Sequence, residues 1–135
     1  SNKNKLCILL LDINDFKLIN DTYGHNIGDV AIRKFAKLLS AYSSDSCIVG
    51  RFGGDEFIVL LMHKDINFIE QIVKNIKKEI LSIEIASNKN SVKFSSSIGV
   101  SFLNKKTKTL DELILLADQK MYKNKKLKVP IIRLR

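Results

Sequence analysis

Cys47-Ile-Val-Gly-Arg-Phe-Gly-Gly-Asp-Glu-Phe-Ile-Val-Leu-Leu-Met62 holds two β-rich runs, residues 47–52 and 57–62, with Gly53-Gly54 between them. A glycine pair between apolar, β-branched segments is a hairpin signal, because a tight turn needs backbone freedom at its tip. Upstream, residues 6–12 form a continuous apolar run closed by an acid. That predicts a central strand buried on both faces. Downstream, Val92, Phe94, Ser96, Ile98, Val100 and Phe102 alternate with Lys93, Ser95, Ser97, Gly99 and Ser101. Period two predicts a strand with one buried face.

Helices fill the intervals. Phe16, Ile19, Asn20 and Tyr23 recur at spacings of three and four, a short helix over 15–23 stopped at Gly24. Gly28-Asp29 opens a second helix, with Val30, Ile32, Phe35, Ala36, Leu38 and Leu39 on a broad apolar face through Ala41. Asp65 suits the N-cap of a helix carrying Phe68, Ile69, Ile72, Val73, Ile76 and Ile80. Residues 87–91 read as a polar loop. Thr109-Leu-Asp-Glu112 is a capping box, and Leu113, Leu116, Ala117, Lys120 and Met121 carry the last helix toward Lys125. Pro130 breaks any continuation, and 131–134 suit a short final strand. The order β-α-α-β-β-α-β-α-β, without the second helix and last strand, is βαββαβ. That is an α+β, ferredoxin-like core. A mainly antiparallel sheet with its helices on one face is expected, in one domain filling 1–135.

Composition narrows the function. The 135 residues are 45% hydrophobic and 27% charged, so the chain can build a core and is not disordered. No apolar run reaches the ~20 residues of a membrane span, and there is no signal-peptide pattern. Cys7 and Cys47 lie in apolar runs without zinc-type spacing, which points to a reduced, cytoplasmic domain with no membrane contact. Ser1-Asn2 reads as an expression scar on an excised fragment. The net charge of +9 favours an anionic partner, yet Tyr122 is the one aromatic in the basic stretch 103–135. A nucleic-acid groove is therefore not expected.

Three acids stand out. Asp12 ends the first strand and Asp55-Glu56 follow the glycine turn, so a βαββαβ sheet can bring them together. Converging carboxylates call for a cation, and hard oxygen ligands suit Mg²⁺ or Mn²⁺ sharing phosphate oxygens. An ordinary strand end and turn would use the same residues. Gly53 and Gly54 suit close approach of a ligand to the backbone. Loops of the G-x-x-x-x-G-K-[ST] or G-x-G-x-x-G type are absent, which excludes those modes of phosphate binding. His63 reads as a surface residue. His25 lies in a polar connection where Asn20 and Asp29 have the chemistry to read a guanine, or simply to end one helix and cap the next.

Taken together, these segments resemble the GGDEF family of diguanylate cyclases. The likeness is carried by Arg51-Phe-Gly-Gly-Asp-Glu-Phe57 and by the stretch from Leu11-Asp-Ile-Asn-Asp-Phe16 to Gly28-Asp29. Ser97-Ile-Gly-Val100 and Ala117-Asp-Gln-Lys-Met-Tyr122 extend it. The resemblance implies a polymerase-palm fold and condensation of two GTP into cyclic di-GMP, with release of two pyrophosphates by a homodimer. It implies two Mg²⁺ (or Mn²⁺) per site, held by Asp12, the Ile13 carbonyl, Asp55 and Glu56, with Asp55 or Glu56 deprotonating the 3′-hydroxyl. Gly53 and Gly54 would bed the GTP. Asn20 and Asp29 would hold guanine, with His25 nearby. Backbone amides around Asp15 and Phe16, together with Lys125, would meet the phosphates.

The chain departs from the family pattern at several points. Val129 stands where an Arg is usual, with Lys126 or Lys128 as substitute charges. Ser44 and Cys47 replace the Arg and Asp of the product-inhibition motif. The usual preceding helix, and any upstream sensor or dimerisation module, are missing from this chain. The alternative reading is a degenerate GGDEF domain that binds GTP as a regulatory module. A hybrid cyclase making cyclic GMP-AMP is disfavoured by Asp29, where that group typically has Ser.

Overall fold

In the computed structural model, which describes residues 5–63 and 65–127, the elements run β1 (Lys5–Ile13), α1 (Phe16–Tyr23), α2 (His25–Ser40), β2 (Cys47–Arg51), β3 (Glu56–His63), α3 (Ile66–Leu81), β4 (Ile85–Ser87), β5 (Asn90–Val92), β6 (Ser96–Phe102) and α4 (Leu110–Leu127). The strand order in the main sheet is β2-β3-β1-β6, with β1 antiparallel to both β3 and β6. The apolar run therefore lies at the centre, as its continuous hydrophobicity requires, and residues 7–13 are all buried. The mixed α+β class and the βαββαβ core are as expected. Pro130 and the final strand over 131–134 lie outside the described residues.

The helices do not share one face. Leu9, Leu11 and Ile13 pack with Phe35 and Leu39 of α2 and with Ile69, Ile76 and Ile80 of α3. Ile8 and Leu10 point the other way, onto Leu113, Ala117 and Met121 of α4. A central strand apolar on both faces needs two covers, and α4 is the second.

That second cover also changes the reading of β6. Its serine and glycine face does not meet water: Ser97 and Ser101 are buried. A Cβ on Gly99 would stand 1.9 Å from the Ala117 carbonyl oxygen. The helix backbone rests directly on the strand, and only small side chains permit it. Ser101 Oγ donates to the Leu113 carbonyl at 2.7 Å, so its burial leaves no unmet polar group.

Three further boundaries differ. The second helix begins at His25 rather than Gly28, because a single residue, Gly24 at φ 96°, makes the whole break after α1. Residues 87–91 are not a plain loop but the turn and flanks of the β4-β5 hairpin, with Asn88 left-handed at φ 56°. The strand expected from Val92 starts only at Ser96. The caps are as expected. Asp65 accepts from the Asn67 amide at 2.9 Å, and Thr109 and Glu112 bond reciprocally. Cys7 and Cys47 are free, and both are registered on Leu61 from opposite sides. Two interstrand spacings, about 9–10 Å, separate them, too far for a disulfide. Among the described residues no helix is long and apolar enough to cross a membrane.

Candidate active site

Register brings the acids together. Asp12 is paired directly with Glu56 across β1 and β3, and the Ile13 amide donates to the Asp55 carbonyl at 3.3 Å. Asp12, Ile13, Asp55 and Glu56 thus share one end of the sheet. Like charges in directly opposed positions destabilise a sheet, so nothing in folding favours this pairing.

The hairpin tip is braced by Arg51, whose Nε donates to the Gly53 and Gly54 carbonyls at 3.1 Å each. Neither glycine has a positive φ, so the turn's hand does not explain them. A Cβ on Gly54 would meet nothing within 4 Å. Glycine here leaves bare backbone facing open space, which suits a ligand pressed against the turn.

Asp12 is 4% exposed. Its Oδ2 pairs with Lys125 Nζ at 2.6 Å, while Oδ1 is buried without a hydrogen-bond partner. Burial raises the Asp12 pKa and the charge of Asp55 adds to this, against the pull of Lys125 and, more weakly, of the Ser97 backbone amide. Glu56 is also raised, first by burial, then by Asp55, Asp12 and Asp118. In a chain of net charge +9, this corner sets the acids Asp12, Asp55, Glu56 and Asp118 against Lys125. Among the described residues no three acidic, His or Cys side chains form a ready metal cage. The orphaned Asp12 oxygen and the crowding of carboxylates nonetheless fit a hard divalent cation.

Beside the carboxylates, Asp15 adopts a left-handed φ of 57° and does not cap α1, whose first turn begins at Phe16. Amides at such an uncapped start suit an anion. Asn20 lies against Gly28: a Cβ there would stand 1.8 Å from Asn20 Oδ1, which is buried and unpartnered. Gly28, which precedes Asp29 in the chain, thus leaves room for the Asn20 carboxamide. Asp29, with Arg33 and Arg51, lines a depression of about 190 Å³. His25 is exposed at the first residue of α2. Lys125 reaches the carboxylates, a position the sequence did not foretell. Val129, like Lys128, lies outside the described residues.

Several supporting residues had no signal of their own in the sequence. Asn14 is buried, donates to Ser95 Oγ at 2.8 Å and accepts from Ser97 Oγ at 2.7 Å. This pins the turn between β1 and α1 to β6. The run Ser95-Ser-Ser97 was the available hint. Asp118 lies in α4 within electrostatic reach of Glu56, and Arg51 props the turn. Neither role is visible without the tertiary structure.

A family model described as "Diguanylate cyclase, GGDEF domain" matches residues 1–129. Diguanylate cyclase A of Treponema denticola is 32% identical over 123 residues, covering 91% of this chain and 33% of that protein. A probable diguanylate cyclase, DgcI of Escherichia coli, is 39% identical over 120 residues, covering 88% of this chain and 25% of that one. The chain thus spans about a third or less of these relatives. Among solved structures, the active GGEEF domain of a Vibrio cholerae diguanylate cyclase superposes with a TM-score of 0.81 at 29% identity, covering 91% of this chain and 78% of that one. The GGDEF domain of DgcB from Caulobacter crescentus, in complex with c-di-GMP, gives 0.84 at 25% identity, covering 91% and 73%.

Proposed function

The chain belongs to the GGDEF diguanylate cyclase family, and from that premise we propose that it condenses two GTP into cyclic di-GMP at the corner formed by Asp12, Asp55 and Glu56. The observation that carries this is the buried, unpartnered oxygen of Asp12 directly across from Glu56 and beside the open Gly54 backbone. In each half-reaction the 3′-hydroxyl oxygen of one GTP bonds to the α-phosphorus of the other. The bond from that phosphorus to the pyrophosphate oxygen breaks, and the hydroxyl proton passes to Asp55 or Glu56.

Asp12, the Ile13 carbonyl, Asp55 and Glu56 would hold Mg²⁺ or Mn²⁺, two per site. Bound there, the metal would supply Lewis-acid stabilisation of charge on the reacting phosphate. Asn20 and Asp29 hold the guanine edge, with His25 at the rim. The Asp15–Phe16 backbone and Lys125 take the β- and γ-phosphates. Gly53 and Gly54 keep the bed free of side chains.

Each domain carries one set of carboxylates, so two domains must face each other across their nucleotides. Two bodies of charge +9 repel at low ionic strength, which makes an isolated domain a poor dimer. A sensor or dimerisation module elsewhere in a longer protein would raise the effective concentration to roughly millimolar. A cytoplasmic location, where GTP is at hand, follows from the same reading.

The test is mass spectrometry of products after incubation with GTP and Mg²⁺, across a range of protein concentrations. Cyclic di-GMP, formed with a rate rising more than linearly with protein, is expected. GTP bound but unconverted at every concentration, including in a fusion to a dimeric coiled coil, would overturn the cyclase reading in favour of a GTP-binding regulatory module.

A further inference from the structure

We infer that Lys125 is a displaceable counter-ion for Asp12, occupying the carboxylate until a divalent cation takes its place. The inference rests on the metal site described under the proposed function and deepens it. Leu113, Ala117 and Met121 form a stripe on α4 that packs on Ile8 and Leu10. One further turn along that stripe is Lys125, and two residues further along the same face of β1 is Asp12. The apolar packing therefore delivers the ammonium to the end of the strand. There Lys125 Nζ lies 2.6 Å from Asp12 Oδ2, with 33% of its own side chain exposed against 5% for the aspartate.

The arrangement is half satisfied. One ammonium pairs with Asp12, in a corner where Asp55, Asp12 and Asp118 crowd Glu56, and Asp12 Oδ1 keeps no hydrogen-bond partner. A single positive charge cannot neutralise such a group, whereas a divalent ion carries twice the charge and coordinates several oxygens at once. A cation entering beside Lys125 is repelled by it, so loading requires that the ion pair break. The lysine stem is flexible and partly solvated, so it can swing aside with little loss of burial. Phosphate oxygens brought in by a nucleotide give it another anion. Metal alone should therefore bind weakly and metal with nucleotide more tightly, the two events being coupled through one side chain.

The experiment measures Mn²⁺ binding to the chain without nucleotide, by the loss of the free-ion electron paramagnetic resonance signal. Lys125→Met keeps the stem without the charge, and Lys125→Gln serves if the first variant does not fold. Both should bind Mn²⁺ at least about tenfold more tightly than the unaltered chain, since a repelling charge a few ångströms away is gone. They should also gain more Tm on Mn²⁺ addition. Asp12→Asn, in either background, should abolish the gain. Equal or weaker binding in the lysine variants, or no binding in any of the proteins, would overturn the inference. Product formation from GTP by the unaltered chain is a separate readout. Tighter Mn²⁺ binding in the variants, with no cyclic di-GMP from the unaltered chain even when fused to a dimeric coiled coil, sinks the cyclase reading alone, whereas cyclic di-GMP with unchanged Mn²⁺ affinity sinks the exchange alone.

Discussion

The two faces of β1 are built to different ends. On one, Leu9, Leu11 and Ile13 run into a core that continues through Phe35, Leu39, Ile69, Ile76 and Ile80. On the other, Ile8 and Leu10 meet a narrow stripe of α4, and the next residue on that face is Asp12. The first face is apolar to its end and stabilises the fold. The second gives up hydrophobic burial at its end for a carboxylate opposite another carboxylate. A sheet gains nothing from that arrangement, which the proposed metal site would account for.

The strongest way to break this comparison is to remove the keystone of the first face. Phe35 is fully buried, with its ring centroid 4.9 Å from that of Phe57 and 6.2 Å from that of Phe94. Phe35→Ala should cost about 3–5 kcal/mol in urea unfolding, enough to abolish most of the stability of a domain this size. A loss below about 1 kcal/mol would show that this face is not the main core.

Asp55→Ala should have the opposite signature. GTP turnover should fall at least about a hundredfold, equivalent to roughly 2.7 kcal/mol of barrier. Its Tm should stay the same or rise, because a repelling charge is removed from Asp12 and Glu56. Normal turnover at ordinary Mg²⁺, or a collapse in Tm, would remove Asp55 from the site.

Gly99→Ala probes the seam between the faces. The added methyl would meet the Ala117 carbonyl and the Met121 amide, both backbone, so α4 must shift. We expect a destabilisation of about 1–3 kcal/mol. Turnover should also fall, since Lys125 and Asp118 ride on the same helix. Stability lost with turnover intact would show that the position of α4 does not matter to the site.

The smallest effect is at the start of α4. Backbone amides of Thr109 and Lys108 hold the Glu112 carboxyl below its usual pKa. A depressed folded pKa contributes stability above the unfolded value, and this is lost as pH falls through the folded one. Glu112→Gln should therefore speed amide exchange in the first turn of α4 at neutral pH. The difference from the unaltered chain should vanish in acid. A difference that persists at low pH would show that the carboxylate charge is not what secures the cap.

Much of this was legible in the chain. The capping box at Thr109 and Glu112, the Asp65 cap and the helix stop at Gly24 are local events between near neighbours, and each was read where it stands. The alternation along β6 predicts one buried face, whereas Ser97 and Ser101 are buried too, because α4 lies on them and accepts from Ser101 at the Leu113 carbonyl. The polar connection around His25 predicts a helix only from Gly28, whereas the one glycine at position 24 suffices for the break and the helix starts at His25. For the candidate site, Asp12, Asp55 and Glu56 stood out by residue type and place. Asn14 did not, because an asparagine in a polar turn announces no partner.

The sequence by itself determined the kinds and order of the elements, the hairpin and the acids at its tip. These rest on periodicity, turn chemistry and caps, which act over a few residues. The tertiary structure alone decided that α4 covers the second face of β1, that Asp12 lies opposite Glu56, and that Lys125 closes on Asp12. Such contacts depend on strand register and on how closely a helix backbone can approach a strand. Register is set by the summed packing of both faces, and approach by the absence of a side chain at Gly99, whose need for a bare backbone shows only once α4 is seen lying on it.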